Sequence, residues 1–219
     1  MFLGQGQTGG RVASPRVCDT EKLVTLPGSM DEALSDEDLM LRYCAGDAAA
    51  FDLLYGRHKG GVYRYLLRQL REPATADELF QDIWLNLINA RERYSVQAKF
   101  TTYLYRIAHN RLIDHFRRHN GMATLSLDQR DDPDDDPIDV PADPTQTPEA
   151  RRWAEEQLTR IVELVENLPS AQREAFLLHE EGGLHVDAIA ESTGVNRETA
   201  KSRLRYALNK LRQGLEGYL

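Results

Sequence analysis

The chain predicts an all-α fold of two small helical domains, on three observations. Apolar residues recur at helical spacing from Leu34 to His119 and again beyond Ala150. No stretch alternates long enough to make a half-buried strand. Between the two periodic regions, DDPDDDPIDVPADPTQTPEA holds five of the nine prolines and few large apolar groups. Such a segment cannot bury enough surface to offset its chain entropy. The expected organisation is a disordered N-terminal extension over 1–33, a first helical domain over 34–119, a flexible acidic linker over 120–149 and a second helical domain over 150–219.

Residues 1–29 are Gly- and Thr-rich and aperiodic, and helical patterning begins just after Met30, which reads as the true start. Ser35 is placed to cap a first short helix whose opening turn carries Asp36, Glu37 and Asp38. Gly46 interrupts it. The next helix recurs through Phe51, Leu54, Tyr55, Val62, Leu66 and Leu70. Pro73 closes the following loop, and Thr75 with Glu78 predicts a capping box. Leu79, Ile83 and Leu87 then fall at i, i+4, i+8 beside Phe80, Trp84 and Ile88. A fourth helix carries Leu104, Ala108, Leu112 and Phe116 on one stripe. After the linker come EARRWAEEQLTRIVELVENL, a helix started by Pro169 and Ser170, the short VDAIAEST, and a last helix from Arg197.

Charge is distributed unevenly. The whole chain carries a net charge of −8, yet residues 120–150 alone hold nine acids against one base, so the remainder is neutral. A low global pI therefore does not exclude nucleic acid. Gly194 to Arg212 contains six basic residues and one acid. Ile189, Ala190, Gly194 and Val195 supply the grammar of a helix-turn-helix: a small residue for close approach, Gly for a positive φ, and an apolar plug at the hinge. Asn196 is a good N-cap. Ala200, Leu204, Ala207, Leu208, Leu211 and Leu215 make the buried face of the last helix. Arg197, Lys201 and Arg205 fall at i, i+4, i+8 as an exposed basic stripe, flanked by Ser202 and Arg203. A basic stripe alone is most often a solvated face; with the hinge attached, a DNA major groove fits better.

KFTTYLYRIAHNRLIDHFRRH has a different character. Lys99, Arg106, Arg111, Arg117 and Arg118 stand against Asp114, interleaved with Phe100, Tyr103 and Tyr105, with Tyr94 just before. Cations track phosphates, and aromatics stack on bases only when those are unpaired, so single-stranded DNA is the expected ligand. Core packing is the competing expectation for about half of these aromatics. The preceding helix presents Asp77, Gln81, Asp82, Asn86 and Asn89 outward, which suits a protein partner or a merely solvated face.

DELFQDIWLNLINARERYSVQAKFTTYLYRIAHNRLIDHFRR, followed by LPSAQREAFLLHEEGGLHVDAIAESTGVNRETAKSRLRYALNKLR, resembles a bacterial sigma-70 family RNA polymerase sigma factor of the extracytoplasmic-function (ECF) subclass. The likeness runs from Asp36 to Leu215 apart from the linker. It implies that Asp77, Glu78, Gln81 and Asp82 contact the RNA polymerase core at its beta-prime coiled coil, with the beta flap as a further core contact. It also implies that Tyr94, Asn110 and the loop Ser95–Lys99 belong to a region that opens the minus-ten promoter element and pockets a flipped base. Lys99, Tyr103, Arg106, Arg111, Arg117 and Arg118 complete the expected minus-ten surface. The helix-turn-helix would read the minus-thirty-five element through Asn196, Arg197, Thr199, Lys201, Ser202, Arg203 and Arg205. An anti-sigma factor is a further implied partner. The sequence departs from the family where His185 stands for a Ser cap, where Tyr206 and Leu208 replace common Arg positions, and in the loop SVQAK.

A stand-alone helix-turn-helix regulator is the alternative; it would dimerise and bind DNA unaided, yet no dimer heptad or ligand-pocket signature is evident. An enzyme fits worse. His115 and His119 lie at i, i+4, but no Glu stands between them as in a zinc-protease motif, and no phosphate loop or nucleophile motif occurs. Cys18 and Cys44 lack metal or redox spacing. No cofactor and no metal are expected. No apolar run approaches the ~20 residues of a membrane span, and the N-terminus lacks a secretory apolar region, so cytoplasmic residence is expected.

Overall fold

The computed structural model of the chain describes residues 34–119 and 148–216, with side chains from residue 157 onward in the second stretch. The expectations for residues 1–33, including Met30 and Cys18, and for the linker up to residue 147 lie outside the described residues.

Among the described residues the regular elements are all helical. In order they are α1 (Asp36–Cys44), α2 (Ala48–Leu70), α3 (Pro73–Ala90), α4 (Phe100–His119), α5 (Pro148–Glu166), α6 (Ser170–Glu180), α7 (Val186–Thr193) and α8 (Arg197–Leu215), with a short 3-10 turn at Arg91–Arg93. Ser35 caps α1 as expected, its hydroxyl accepting from the Asp38 amide at 3.1 Å. The start of α3 differs from expectation. The helix begins at Pro73, and Thr75 lies inside it, its hydroxyl donating to the Glu72 carboxylate at 2.8 Å. Proline is pre-shaped for the first helical position and lacks the amide that a cap would satisfy, so it sets the boundary ahead of Thr75.

The first domain packs α1–α4 around Leu39, Leu54, Leu66, Ile83, Leu87 and Leu104, all inaccessible to solvent. Phe51, Tyr55, Phe80 and Trp84 interlock edge-to-face between α2 and α3. In the second domain α6 and α8 enclose Leu177, Leu178, Ala200 and Ala207, with α7 across one side. The stripes read from sequence are borne out: Leu79, Ile83, Leu87, Leu104, Ala108 and Leu112 are buried.

The two domains also pack on each other, α4 against α7 and α2 against α6. Specific hydrogen bonds cross this interface within an apolar core that is continuous between the domains. The Glu174 carboxylate of α6 is buried and accepts from the Tyr65 hydroxyl of α2 at 3.2 Å and from Nδ1 of His109 of α4 at 2.6 Å. Tyr105 donates to the Glu181 carbonyl at 2.7 Å, and the buried Ser192 hydroxyl donates to the Thr102 carbonyl at 3.4 Å. Arg173 reaches the Gln69 side-chain oxygen at 3.3 Å, and Arg71 donates to the Glu166 carbonyl.

Asp36 anchors α1 to α2, accepting from Arg57 at 2.8 Å and from Nε2 of His58 at 2.7 Å. The His58 hydrogen bond holds its carboxyl below the ordinary carboxylate range; burial opposes this and Arg57 reinforces it. A depressed folded-state pKa contributes stability above the unfolded value of about 4 and loses it as pH falls through the folded value. Asp36→Asn should therefore lower stability at pH 7 and flatten the acid limb of the stability–pH curve below about pH 4, read by urea unfolding across pH 2–7. An unchanged acid limb would remove Asp36 as its source.

Candidate nucleic-acid interface

The helix-turn-helix is built as its residues dictate. Ile189 and Ala190 of α7 are buried, and Gly194 takes φ 69°, the left-handed turn that L side chains disfavour. The Val195 amide closes the turn on the Ala190 carbonyl at 3.1 Å. Asn196 then caps α8, its Oδ1 accepting from the Thr199 amide at 2.7 Å. His185 holds the N-cap position of α7 without a side-chain hydrogen bond, in keeping with histidine as the poorer cap. Leu208 and Leu215 are partly covered rather than buried, a correction to the apolar face of α8.

Arg197 and Lys201 are exposed on the outer face, while Arg205 is half-buried with its guanidinium 5.3 Å from the Tyr206 ring centroid. The expected stripe therefore loses its third exposed member. Eight residues on from Arg197 the helix has rotated ~80° past its starting direction, which carries Arg205 toward the packed side. Arg203, Thr199 and Ser202 are half-buried, and the Ser202 hydroxyl donates back to the Glu198 carbonyl. Arg197 pairs with Asp187 at 2.7 Å, both exposed. Such a surface pair contributes under about 1 kcal/mol and yields readily to a phosphate.

In the first domain, the loop between the 3-10 turn and α4 borders a cavity of about 400 Å³. Asn86, Asn89, Tyr94, Ser95, Tyr103 and Arg106 line it, as does Glu191 from α7. Tyr94 is buried and meets Tyr103 edge-on with centroids 5.3 Å apart, and Arg106 lies 5.8 Å from the Tyr103 centroid. Phe100 and Tyr105 are core. Arg111 donates to the Asn86 side-chain oxygen at 2.7 Å. Lys99 and Asn110 are exposed. Arg117 and Arg118 are exposed at the far end of α4, ~20 Å along the axis from Tyr103. The structure thus gathers Tyr94, Tyr103 and Arg106 at one cavity and leaves Arg117 and Arg118 apart from it.

On α3, Asp77, Glu78 and Gln81 are exposed and Asp82 is half-buried. Asp77 hydrogen-bonds Tyr63 and raises the pKa of its hydroxyl. Leu85, on the same helix, is an exposed large apolar side chain that the sequence reading missed. His115 and His119 stack with ring centroids 4.1 Å apart, and no group of three metal-ligating side chains occurs among the described residues.

Comparison with known proteins accords with this architecture. The family model for Sigma-70 region 2 matches residues 54–121, and that for Sigma-70, region 4 matches residues 158–211. The ECF RNA polymerase sigma factor SigK of Mycobacterium tuberculosis (strain ATCC 25618 / H37Rv) is 32% identical over 184 residues, 83% of this chain and 95% of that one. The chain belongs to the ECF sigma-70 family. SigK of Mycobacterium sp. (strain KMS) is 30% identical over 88% of this chain and 97% of its own. Among solved structures, CnrH in complex with the cytosolic domain of CnrY matches with TM-score 0.58 and 20% identity over 83% of this chain and 97% of that one. The sigma factor RpoE in complex with the anti-sigma factor NepR from Bartonella quintana matches with TM-score 0.54 and 18% identity over 76% of this chain and 96% of that one. These two share the fold.

The start of α4 in this sigma factor is capped from a distance. The Phe100 amide donates to the Glu37 carboxylate of α1 at 2.6 Å, across 63 positions of sequence, so no local motif announced it. Glu37→Ala should cost about 1 kcal/mol, the usual loss of an N-cap, and raise amide exchange over residues 95–103. Glu37→Gln, which keeps an acceptor, should recover most of both. Equal exchange in all three proteins would show that the cap does not order the loop.

Proposed function

We propose that the chain is a promoter-specificity subunit: it binds RNA polymerase core, recognises two separated promoter elements and helps to open the DNA between them. The observation that carries this reading is the pairing of a cavity lined by Tyr94, Tyr103, Arg93 and Arg106, beside the loop that starts at Ser95, with a helix-turn-helix in the same chain. Arg106 beside Tyr103 suits a phosphate next to an unstacked base, and capturing such a base offsets a few kcal/mol of unpairing. On α8, Arg197 and Lys201 lead into the major groove of the minus-thirty-five element, with Asn196, Thr199, Ser202, Arg203 and Arg205 beside them. The acidic face of α3 with its bare Leu85 favours a protein surface over simple solvation, and the polymerase coiled coil is the proposed partner.

Each DNA-binding face alone offers few phosphate contacts. Docking on polymerase fixes their separation and turns two weak sites into one strong one. RNA synthesis itself belongs to the polymerase, so the chain needs no catalytic group. Because CnrH and RpoE are each solved with a bound partner, an anti-sigma protein is proposed here too. No described helix is long and apolar enough to cross a membrane, and residence with the transcription machinery in the cytoplasm is part of the proposal.

Size-exclusion chromatography with purified bacterial core polymerase tests the reading. Stoichiometric co-elution is expected, and charge reversal at Asp82 should abolish it. Lys201→Ala should weaken binding to a minus-thirty-five duplex by the holoenzyme about tenfold while leaving co-elution unchanged. A chain that fails to co-elute and shifts duplex DNA unaided as a dimer would be a stand-alone regulator instead.

A further inference from the structure

Asn86 and Arg111 both stand apart from the roles that their places in the sequence suggest. Asn86 belongs to α3, whose outer face is acidic, yet it lines the cavity that holds Tyr94, Tyr103 and Arg106. Arg111 belongs to the basic helix α4, yet it does not line that cavity. Its guanidinium donates instead to Oδ1 of Asn86 at 2.7 Å. Nδ2 of Asn86 in turn donates to the Asp82 carbonyl, one turn back on α3, at 2.8 Å. Both side chains are half-buried.

These two partners fix which way the amide faces. A guanidinium has only N–H donors, and a backbone carbonyl only accepts. Turning the amide over would set N–H against N–H on one side and oxygen against oxygen on the other. Both hydrogen bonds would be lost, one of them charge-assisted. One N–H of Nδ2 and one lone pair of Oδ1 remain uncommitted, in a fixed order. That order matters to an unpaired base, which is read on its Watson–Crick edge. Adenine and cytosine offer an amino donor beside a ring-nitrogen acceptor there. Thymine and guanine offer a carbonyl acceptor beside a ring N–H donor. A free amide turns to suit either edge, whereas a locked one suits a single order.

We propose that Arg111 is a positioning residue: by locking the Asn86 amide at the cavity wall, it makes the cavity selective between these two classes of base without itself touching DNA. The inference rests on the reading of the cavity as a nucleic-acid site and adds the group that reads the base.

The test measures binding of holoenzyme, assembled with the full chain, to four 15-nucleotide single strands. Each is abasic except for one central A, C, G or T, and core polymerase alone is the blank. Comparing adenine with guanine and cytosine with thymine keeps ring size constant. Each ratio should depart from one by about tenfold, in the same sense for both pairs. Arg111→Met keeps the stem and removes the donors, so both ratios should fall to about twofold or less. Mean affinity over the four strands and its salt dependence should stay as in the wild type. Arg111→Lys, which retains a donor, should restore part of the selectivity. A direct phosphate contact would give the opposite pattern: Arg111→Met would weaken all four strands alike, keep the ratios and lower the salt slope by about 0.7. That outcome, or ratios unaltered in any other way, overturns the inference. If Arg111→Met loses helical circular dichroism, Asn86→Ala decides: selectivity should vanish with the reading group, and retained selectivity overturns the inference. Wild-type holoenzyme that binds no strand above the blank refutes the cavity as a nucleic-acid site, and the inference with it. Binding without selectivity refutes only the roles of Asn86 and Arg111.

Discussion

The carboxylate of Glu174 is the interaction on which the arrangement of the two domains depends. It sits on α6, is 6% exposed, and takes hydrogen bonds from Tyr65 and His109 at one oxygen. A buried carboxylate is strongly unfavourable without donors, and both of these donors belong to the other domain. The second domain is therefore satisfied in one docking position and penalised in nearby ones. Burial and the adjacent carboxylate push the Tyr65 hydroxyl well above its ordinary pKa, so it stays a donor across the working pH range. With α6 fixed, α7 falls across α4, because Ser192 meets the Thr102 carbonyl and Glu181 meets Tyr105.

Separation would return Glu174, His109, Tyr65 and Arg173 to water, which hydrogen-bonds each of them, so these polar contacts set the docking position more than its strength. The apolar residues of both domains belong to one continuous core, and their burial supplies the attraction that holds the domains together.

Helix spacing made most of the fold legible in the sequence, since each domain is a bundle whose buried stripe is visible at i, i+4 and i+8. The helix-turn-helix was legible for the same reason: Ala190, Gly194 and Asn196 act on immediate neighbours. What sequence reading missed acts across distance. Glu37 caps a helix 63 positions away, Glu191 reaches a cavity made by another domain, and Glu174 is buried only because two helices from the first domain cover it. The capping box at Thr75 failed because Pro73 moved the helix start, a local rule outranked by another. Gly60 and Gly61 stand inside a strong helical pattern, and at Gly61 an added Cβ would lie 2.7 Å from the Glu181 carbonyl oxygen of the other domain.

The aromatic residues of α4 show how one helix serves packing and recognition together. Phe100 and Tyr105 point inward, and Tyr105 spends its hydroxyl on the other domain. Tyr103, between them in sequence, sits at the cavity rim against Tyr94 and Arg106. The helical turn of ~100° per residue separates these roles without any change of residue type. Anchoring by the inward pair holds the rim tyrosine in place before any ligand arrives, so less side-chain freedom remains to be lost on binding. The same tyrosine ties α4 to the end of α6 through the Glu181 carbonyl, so one helix carries the recognition rim on one side and the domain contact on the other.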